Sequence, residues 1–244
     1  MITKIPFSQN KIISQLKFLF SNLNLKIDKS QIESLKEKLI LVDKNDNKIG
    51  NINKLDAHLI EKKNKYPHRA FSVFLFDKNN KMLLQQRSIK KVTFPLLWSN
   101  TCCSHPLDIS KENTFDNIKN AVVRRMKFEL GLNTKVDLYH LYGRILYKAP
   151  SNKIFEEFEL DYIFLAKIFD KDFNKRFMKS IINKDEVKNI RFKSVDFILN
   201  DMKKNPKKYT PWFKMIMNKK GKEIEMFGNN LDKLEYKEDI INFI

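Results

Sequence analysis

The stretch AFSVFLFDKNNKMLLQQR, residues 70–87, reads as two strands around a turn. Apolar residues run on both sides of Asp77 to Lys81, and a cluster of Asp, Asn and Lys is turn chemistry. Upstream, LILVDKNDNKIGNI at 39–52 repeats the pattern: an apolar run, a cluster of Asp, Asn and Gly, then a second short apolar run. Before it, SQIESLKEKL at 30–39 has helical spacing, with Ser30 as the cap and Glu33 three residues later. Downstream, TFPLLWSNTCCSHPL at 93–107 is short and mixed, strand or loop. From Thr114 to Leu130, the residues Ile118, Ala121, Val122, Met126 and Leu130 sit at helical spacing, and Gly131 stops the helix. LYHLYGRILYK at 138–148 and FEEFELDYIFLAKIF at 155–169 read as strands. Phe192 to Met202 reads as strand then helix, and the C-terminal part as mainly helical. Strands with helices interleaved predict a mixed α/β domain with no linker dividing it.

Composition narrows the class. The chain has 244 residues, 42% of them hydrophobic, with 20 Phe, which excludes a disordered chain. With 5 Gly and 7 Pro it is not collagen-like, and no uncharged run is long enough to span a membrane. The two Cys are adjacent, so they form no disulfide framework, and a reducing, cytoplasmic compartment is expected. The net charge is +18, but only 7 of the 47 basic residues are Arg. Nucleic-acid surfaces favour Arg for bidentate contacts; scattered Lys reads as a solvated surface, so no nucleic-acid partner is expected. Residues 1–27 hold four Lys and no acid, and KIISQLKFLFSNL at 11–23 is amphipathic. We expect an N-terminal helical extension over 1–27, either a surface helix or an organelle-targeting segment, and a single domain over 28–244.

The chemistry-bearing residues are few. There are four His: His58, His68, His105 and His140. In an extended segment Cys103 and His105 share a face, as do Glu157, Glu159 and Asp161. Carboxylates lined along one strand face repel unless they are solvated or a cation sits among them. Three His with two Glu suit Zn²⁺, Mn²⁺ or Mg²⁺, although a lone His is more often structural and a free Cys more often buried and inert. RRMKFELGL at 124–132 resembles the second half of the Nudix box, R-E-U-x-E-E-x-G-U, with Arg124, Glu129, Gly131 and Leu132 in register. Arg125 replaces one Glu of the box and Phe128 another, while Asp116 and Ser110 stand where the upstream Glu and Gly would be. With one carboxylate left and an extra Arg, such a helix suits holding a diphosphate rather than cutting it.

The run HRAFSVFLFDKNNKMLLQQRSIKKVTFPLLWSNTCCSHPL, 68–107, resembles the type I isopentenyl-diphosphate isomerases. ILVDKNDNKIG, YKAPSNK, ELDY and TPWF extend the resemblance over roughly Asp28 to Met217. It implies a Nudix-like α/β/α sandwich with a mixed sheet. It implies interconversion of isopentenyl and dimethylallyl diphosphate, by protonation and deprotonation through a carbocation-like intermediate, in isoprenoid biosynthesis. On this resemblance Cys103, rather than Cys102, is catalytic and Glu159 is the opposing acid–base residue. A divalent metal falls to His58, His68, His105, Glu157 and Glu159, and a diphosphate-bound Mg²⁺ to Glu129. Diphosphate contacts fall to Lys54, Arg87, Lys91 and Arg125, and Tyr147 and Trp212 are aromatic pocket positions. The expected partner is a small-molecule diphosphate, and the expected state a monomer or weak dimer. Two departures stand out: Leu96 follows FP where the family usually has Gly, and the stretch from Lys153 to Glu157 is short. His140 matches nothing in the pattern and is expected to be a surface or core residue. A nucleotide-diphosphate hydrolase would need the paired Glu that Phe128 interrupts, and an RNA- or membrane-binding protein would need neither Cys103 nor Glu159.

Overall fold

The computed structural model describes residues 29–132, 138–170, 177, 182–229 and 239–244. The amphipathic segment at 11–23 and the proposed boundary after residue 27 lie outside them. No helix among the described residues is long and apolar enough to cross a membrane.

Both Asp-rich turns form, and by the same device. In the hairpin of β1 (Lys38–Val42) and β2 (Lys48–Asn53), Asp43 Oδ1 accepts from the amides of Asn45 and Asn47. After β3 (His68–Phe76), Asp77 Oδ1 accepts from the amides of Asn79 and Lys81. A carboxylate that caps its own following amides is what makes these clusters turns.

The second hairpin departs from the expectation. β3 and β4 (Met82–Arg87) share a single pair, Phe76 with Met82, and then diverge. Thr101 holds the fork open: its hydroxyl accepts from Leu75 N at 2.9 Å and donates to Leu83 O at 2.6 Å. β5 (Trp98–Ser99) then pairs β4, and β6 (Cys102–Ser104) pairs β3. On its other side β3 runs parallel to β8 (Glu156–Lys167), which is antiparallel to β7 (Leu138–Pro150). β9 (Val187–Lys193) pairs β4, and β10 (Ile240–Asn242) pairs β7 in parallel. The longest path through this mixed sheet runs β10-β7-β8-β3-β1-β2.

Each face of the sheet buries its own core. α1 (Lys29–Ser34) and α2 (Lys54–His58) are short, and Leu35, Leu55 and Leu59 form a third, small cluster beside them. α3 (Ile118–Leu130) packs Ile118, Val122 and Met126 against Phe71, Val73, Cys102 and Tyr162. α4 (Val195–Lys204) and α5 (Pro211–Asn229) pack Ile198, Trp212, Phe213 and Ile216 against Phe74, Tyr147 and Ile163. This is the α/β/α sandwich predicted, and burial of this apolar area dominates the driving force.

Boundaries differ in places. The helix read over 30–39 ends at Ser34, and Ser30 lies inside it rather than at its cap. The Leu39, Ile40 and Val42 side chains are buried in β1 instead, so sheet pairing overrides local helical spacing. α3 begins at Ile118 rather than Thr114, and Gly131, with φ 65°, closes it through Lys127 O. β10 interrupts the mainly helical C-terminus. His140 lies in β7 opposite Leu165.

Candidate active site

Sheet register assembles the site. Tyr147 pairs Glu159 across β7 and β8, and Glu159 pairs His68 across β8 and β3. In-register neighbours present the same face, so three adjacent strands put these side chains in one row. Alternation along β8 adds Glu157 and Asp161 to that face and sends Phe158 and Leu160 into the α3 core. The same alternation splits the cysteines. Cys102 is fully buried toward α3, while Cys103, paired with Ser72, is half-buried on the other face. His105 follows β6 by one residue, and His58 closes α2.

One atom from each of His58, His68, His105, Glu157 and Glu159 lies within 4.8 Å of every other, all five residues being buried. His58 Nδ1 is 2.6 Å from Lys54 O. A carbonyl only accepts, so Nδ1 carries the proton and Nε2 turns to the cluster. His58 Nε2 is 2.8 Å from Glu157 Oε2 without hydrogen-bond alignment, leaving Glu157 Oε2 and His68 Nε2 as buried atoms without a hydrogen bond. His105 Nε2 is 2.7 Å and His68 Nε2 3.5 Å from Glu159 Oε1. Burial holds His105 well below, and His68 below, the usual imidazole range. His58 is raised, because the Glu157 carboxylate outweighs its burial. Glu157 and Glu159 lie below the usual range despite burial, held there by the neighbouring imidazoles. Inward-facing lone pairs beside ionised carboxylates fit a divalent cation.

A second group adjoins it. Cys103 Sγ, a Glu159 oxygen and an Asp161 oxygen lie within 4.8 Å of one another. Ser72 Oγ is 2.7 Å from Asp161 Oδ2 and 3.4 Å from Cys103 Sγ. Burial, then the Asp161 and Glu159 carboxylates, push the Cys103 thiol well up. Burial and Glu159 do the same to Asp161. The Tyr147 hydroxyl donates to Glu159 Oε2.

Cys103, Glu159 and Tyr147 open on a pocket. Cys103, His105, Tyr147, Glu157, Glu159 and Trp212 line it, together with Lys54, Arg87 and Lys91. Trp212 is held by Asn100 Oδ1 at 3.1 Å, and the Arg87 guanidinium lies 5.5 Å from its ring centre. A thiol, a carboxylate, an aromatic wall and three basic side chains thus share one cavity. A NUDIX domain model matches residues 66–213. Isopentenyl-diphosphate Delta-isomerase 1 of Mus musculus is 44% identical over 200 residues, 78% of this chain and 85% of that protein. Isopentenyl-diphosphate Delta-isomerase I of Camptotheca acuminata is 42% identical over 196 residues, 75% and 80% of the two chains.

The chain belongs to the isopentenyl-diphosphate delta-isomerase family. In fold it is also similar to the crystal structure of DR0079 from Deinococcus radiodurans, with a TM-score of 0.50 at 14% identity over 75% of this chain and 98% of that one.

For a member of this isomerase family, the placement of the anticipated residues is informative. The five His and Glu gather, and Cys103, Tyr147, Trp212, Lys54, Arg87 and Lys91 line the cavity beside them. Arg125 and Glu129 do not line it. They sit on α3 in an ion pair of 2.7 Å, with Glu129 also accepting from Gln85 at 3.2 Å. The Nudix-box Arg124 grips both Glu112 oxygens and His105 O, tying α3 to the loop that carries His105. Sequence reading missed Gln31 and Ser34, which line the pocket from α1, and Glu186, which pairs Lys91 at 2.6 Å. No motif marks them. Leu96 adopts φ 65°, a left-handed conformation that explains why Gly suits that position.

Proposed function

We propose that this isomerase interconverts isopentenyl and dimethylallyl diphosphate, with Cys103 and Glu159 as the proton-handling pair. The observation that carries it is that the Cys103 sulfur and the Glu159 carboxylate face one pocket, next to Tyr147 and Trp212. Shifting the double bond requires a proton added at the terminal alkene carbon, which leaves a tertiary cation. A proton is then lost from the carbon on the diphosphate side. One group gives, the other takes, and the reverse reaction exchanges their roles. Such general acid–base help is worth about 10²–10⁴-fold. The Trp212 ring adds about 2 kcal/mol to a desolvated cation. Tyr147 holds the Glu159 carboxylate in place through its hydroxyl. Lys54, Arg87 and Lys91, which line the pocket, take the diphosphate by charge-assisted hydrogen bonds, spending remote binding energy on placing the alkene, whereas Arg125 is paired with Glu129 off the pocket wall.

A carbon between two groups needs about 3.5–4 Å on each side. A separation within 4.8 Å leaves too little room, so Cys103 or Glu159 turns aside as substrate enters. The donor set fits Zn²⁺, Mn²⁺ or Mg²⁺ held by His58, His68, His105, Glu157 and Glu159, and when bound such a cation would supply positive charge that tunes the Glu159 proton affinity; Glu129, engaged by Arg125 and Gln85 off the pocket wall, does not fit a diphosphate-bound Mg²⁺ in this arrangement.

Proton NMR of the metal-loaded protein with isopentenyl diphosphate in D₂O tests this. Dimethylallyl diphosphate carrying deuterium is the expected product. Release of phosphate or diphosphate, or no change in a folded sample, would overturn the assignment.

A further inference from the structure

Two carboxylates that neither the sequence motifs nor the reaction accounts for touch the cationic set: Glu37, 3.4 Å from Lys54 and part-exposed, and Glu186, which joins Lys91 and Arg125. Glu186 is buried, at 4% exposure. Its Oε2 is 2.6 Å from Lys91 Nζ and 3.3 Å from Arg125 Nη2, and its Oε1 accepts from Gln31 Nε2 at 3.2 Å. It does not itself line the pocket, whereas Lys91 does. It therefore stands behind Lys91 rather than in the ligand's place.

The location is built from both sides. Ser88 N donates to Glu186 O at 2.9 Å, and Ser88 Oγ to Lys184 O at 2.8 Å. Lys90 pairs Asp185 at 2.6 Å. Asn183 N donates to Glu129 O at 3.1 Å. The 183–186 turn is thus pinned to the segment that carries Lys91 and to the helix that carries Arg125. Although burial alone would raise it, Lys91 and Arg125 pull the Glu186 carboxyl down to about 2, so it stays ionised. Burial holds Lys54 below the usual ammonium range, with Arg125 and Lys91 adding to it against the Glu37 and Glu186 carboxylates. Cations gathered this closely repel, and long side chains released from a partner lose their position.

On the isomerase reading, we infer that Glu186 is a positioning residue for diphosphate binding, itself anchored by the Arg125 guanidinium and holding the Lys91 ammonium in place for the substrate's anion. An ammonium has three donors. One is spent on Glu186 and two remain for phosphate oxygens. The opposing effect is simple Coulomb attraction, because removing an anion would strengthen the positive field and tighten any anion. Positioning outweighs it here because one directional contact sets where the Lys91 head group lies.

The test is a double-mutant cycle on the full-length, metal-loaded protein. It reads turnover of isopentenyl diphosphate and calorimetric binding of inorganic pyrophosphate. Glu186→Gln should raise KM and the pyrophosphate Kd about tenfold while kcat stays within about threefold. In a Lys91→Ala background the same change should cost less than about threefold, because the pair is coupled. Glu186→Asp, shorter but still charged, should recover part of the loss, and it serves as the test if the Gln variant fails to fold. Tighter pyrophosphate binding, an equal factor in both backgrounds, or a fall in kcat with KM unchanged would each overturn the inference. A wild-type protein that binds pyrophosphate but does not turn over the alkene would overturn the isomerase reading, and the binding cycle would still read the role of Glu186.

Discussion

Chelation followed by add-back of a divalent cation probes the His/Glu cluster without relying on turnover. Without a cation, His68 Nε2 and Glu157 Oε2 are buried and lack hydrogen bonds. Each such atom costs about 1–3 kcal/mol, and coordination would remove that cost. A cation at one hundred times its Kd stabilises the folded chain by about 2.7 kcal/mol. For a chain of this size 1 kcal/mol moves the midpoint by about 2–4 °C, so add-back should raise Tm by about 5–10 °C. Loss of a ligand should weaken binding by at least the 10–100-fold or so seen for outer-shell partners. At about 100-fold weaker binding the same cation concentration merely equals Kd, and the gain falls to about 0.4 kcal/mol. His68→Ala and Glu157→Gln should therefore each shift by under about 2 °C. Scanning calorimetry with Mg²⁺, Mn²⁺ and Zn²⁺ separates the candidates by the size of the wild-type shift. A wild-type Tm indifferent to all three, or a full shift in both variants, would refute the five-residue ligand set.

Cys103→Ala should lose at least about 10²-fold in kcat with an unchanged melt, whereas Cys102→Ala, in the α3 core, should keep most turnover and lose about 1 kcal/mol of stability; the reverse pattern would mean the catalytic sulfur is Cys102. Asp46 joins Arg69 at 2.7 Å, Arg144 at 3.0 Å and the Tyr162 hydroxyl. Asp46→Asn removes the buried carboxylate that pairs Arg69 and should cost about 3 kcal/mol in urea unfolding; a loss under about 1 kcal/mol would contradict that. At Leu96, with φ 65°, Leu96→Gly should melt no lower than the parent, while Leu96→Val should lose more than about 1 kcal/mol; equal melts would remove backbone strain from the account.

Much of this architecture was legible because its signals are local. Asp43 and Asp77 cap their own turns with their own side chains, so four or five residues suffice to see them. Gly131 likewise ends α3 by a conformation that few other residues adopt. What escaped reading depends on distant partners. The parting of β3 from β4 is decided by Thr101, whose hydroxyl serves Leu75 and Leu83 at once. β10 has three residues and exists through pairing with β7. Glu186 sits in a turn without a motif, and only its contacts with Lys91 and Arg125 give it meaning.

The two cysteines show how a local rule becomes a functional choice. Composition treats Cys102 and Cys103 alike. Strand alternation sends them to opposite faces of β6 but does not say which face holds the chemistry. Register decides that. Ser72, opposite Cys103, lies on the same face of β3 as His68, and His68 pairs Glu159. The sulfur at 103 therefore belongs with the carboxylates, while the sulfur at 102 belongs with Val122 and Met126 of α3. A one-residue slip of β6 against β3 would exchange them, placing the sulfur of Cys102 in the pocket and that of Cys103 beneath a helix. The Thr101 hydrogen bonds one residue before the pair oppose that slip, since Thr101 N also donates to Val73 O at 3.0 Å. The residue that forks the sheet thus also sets which cysteine faces the pocket.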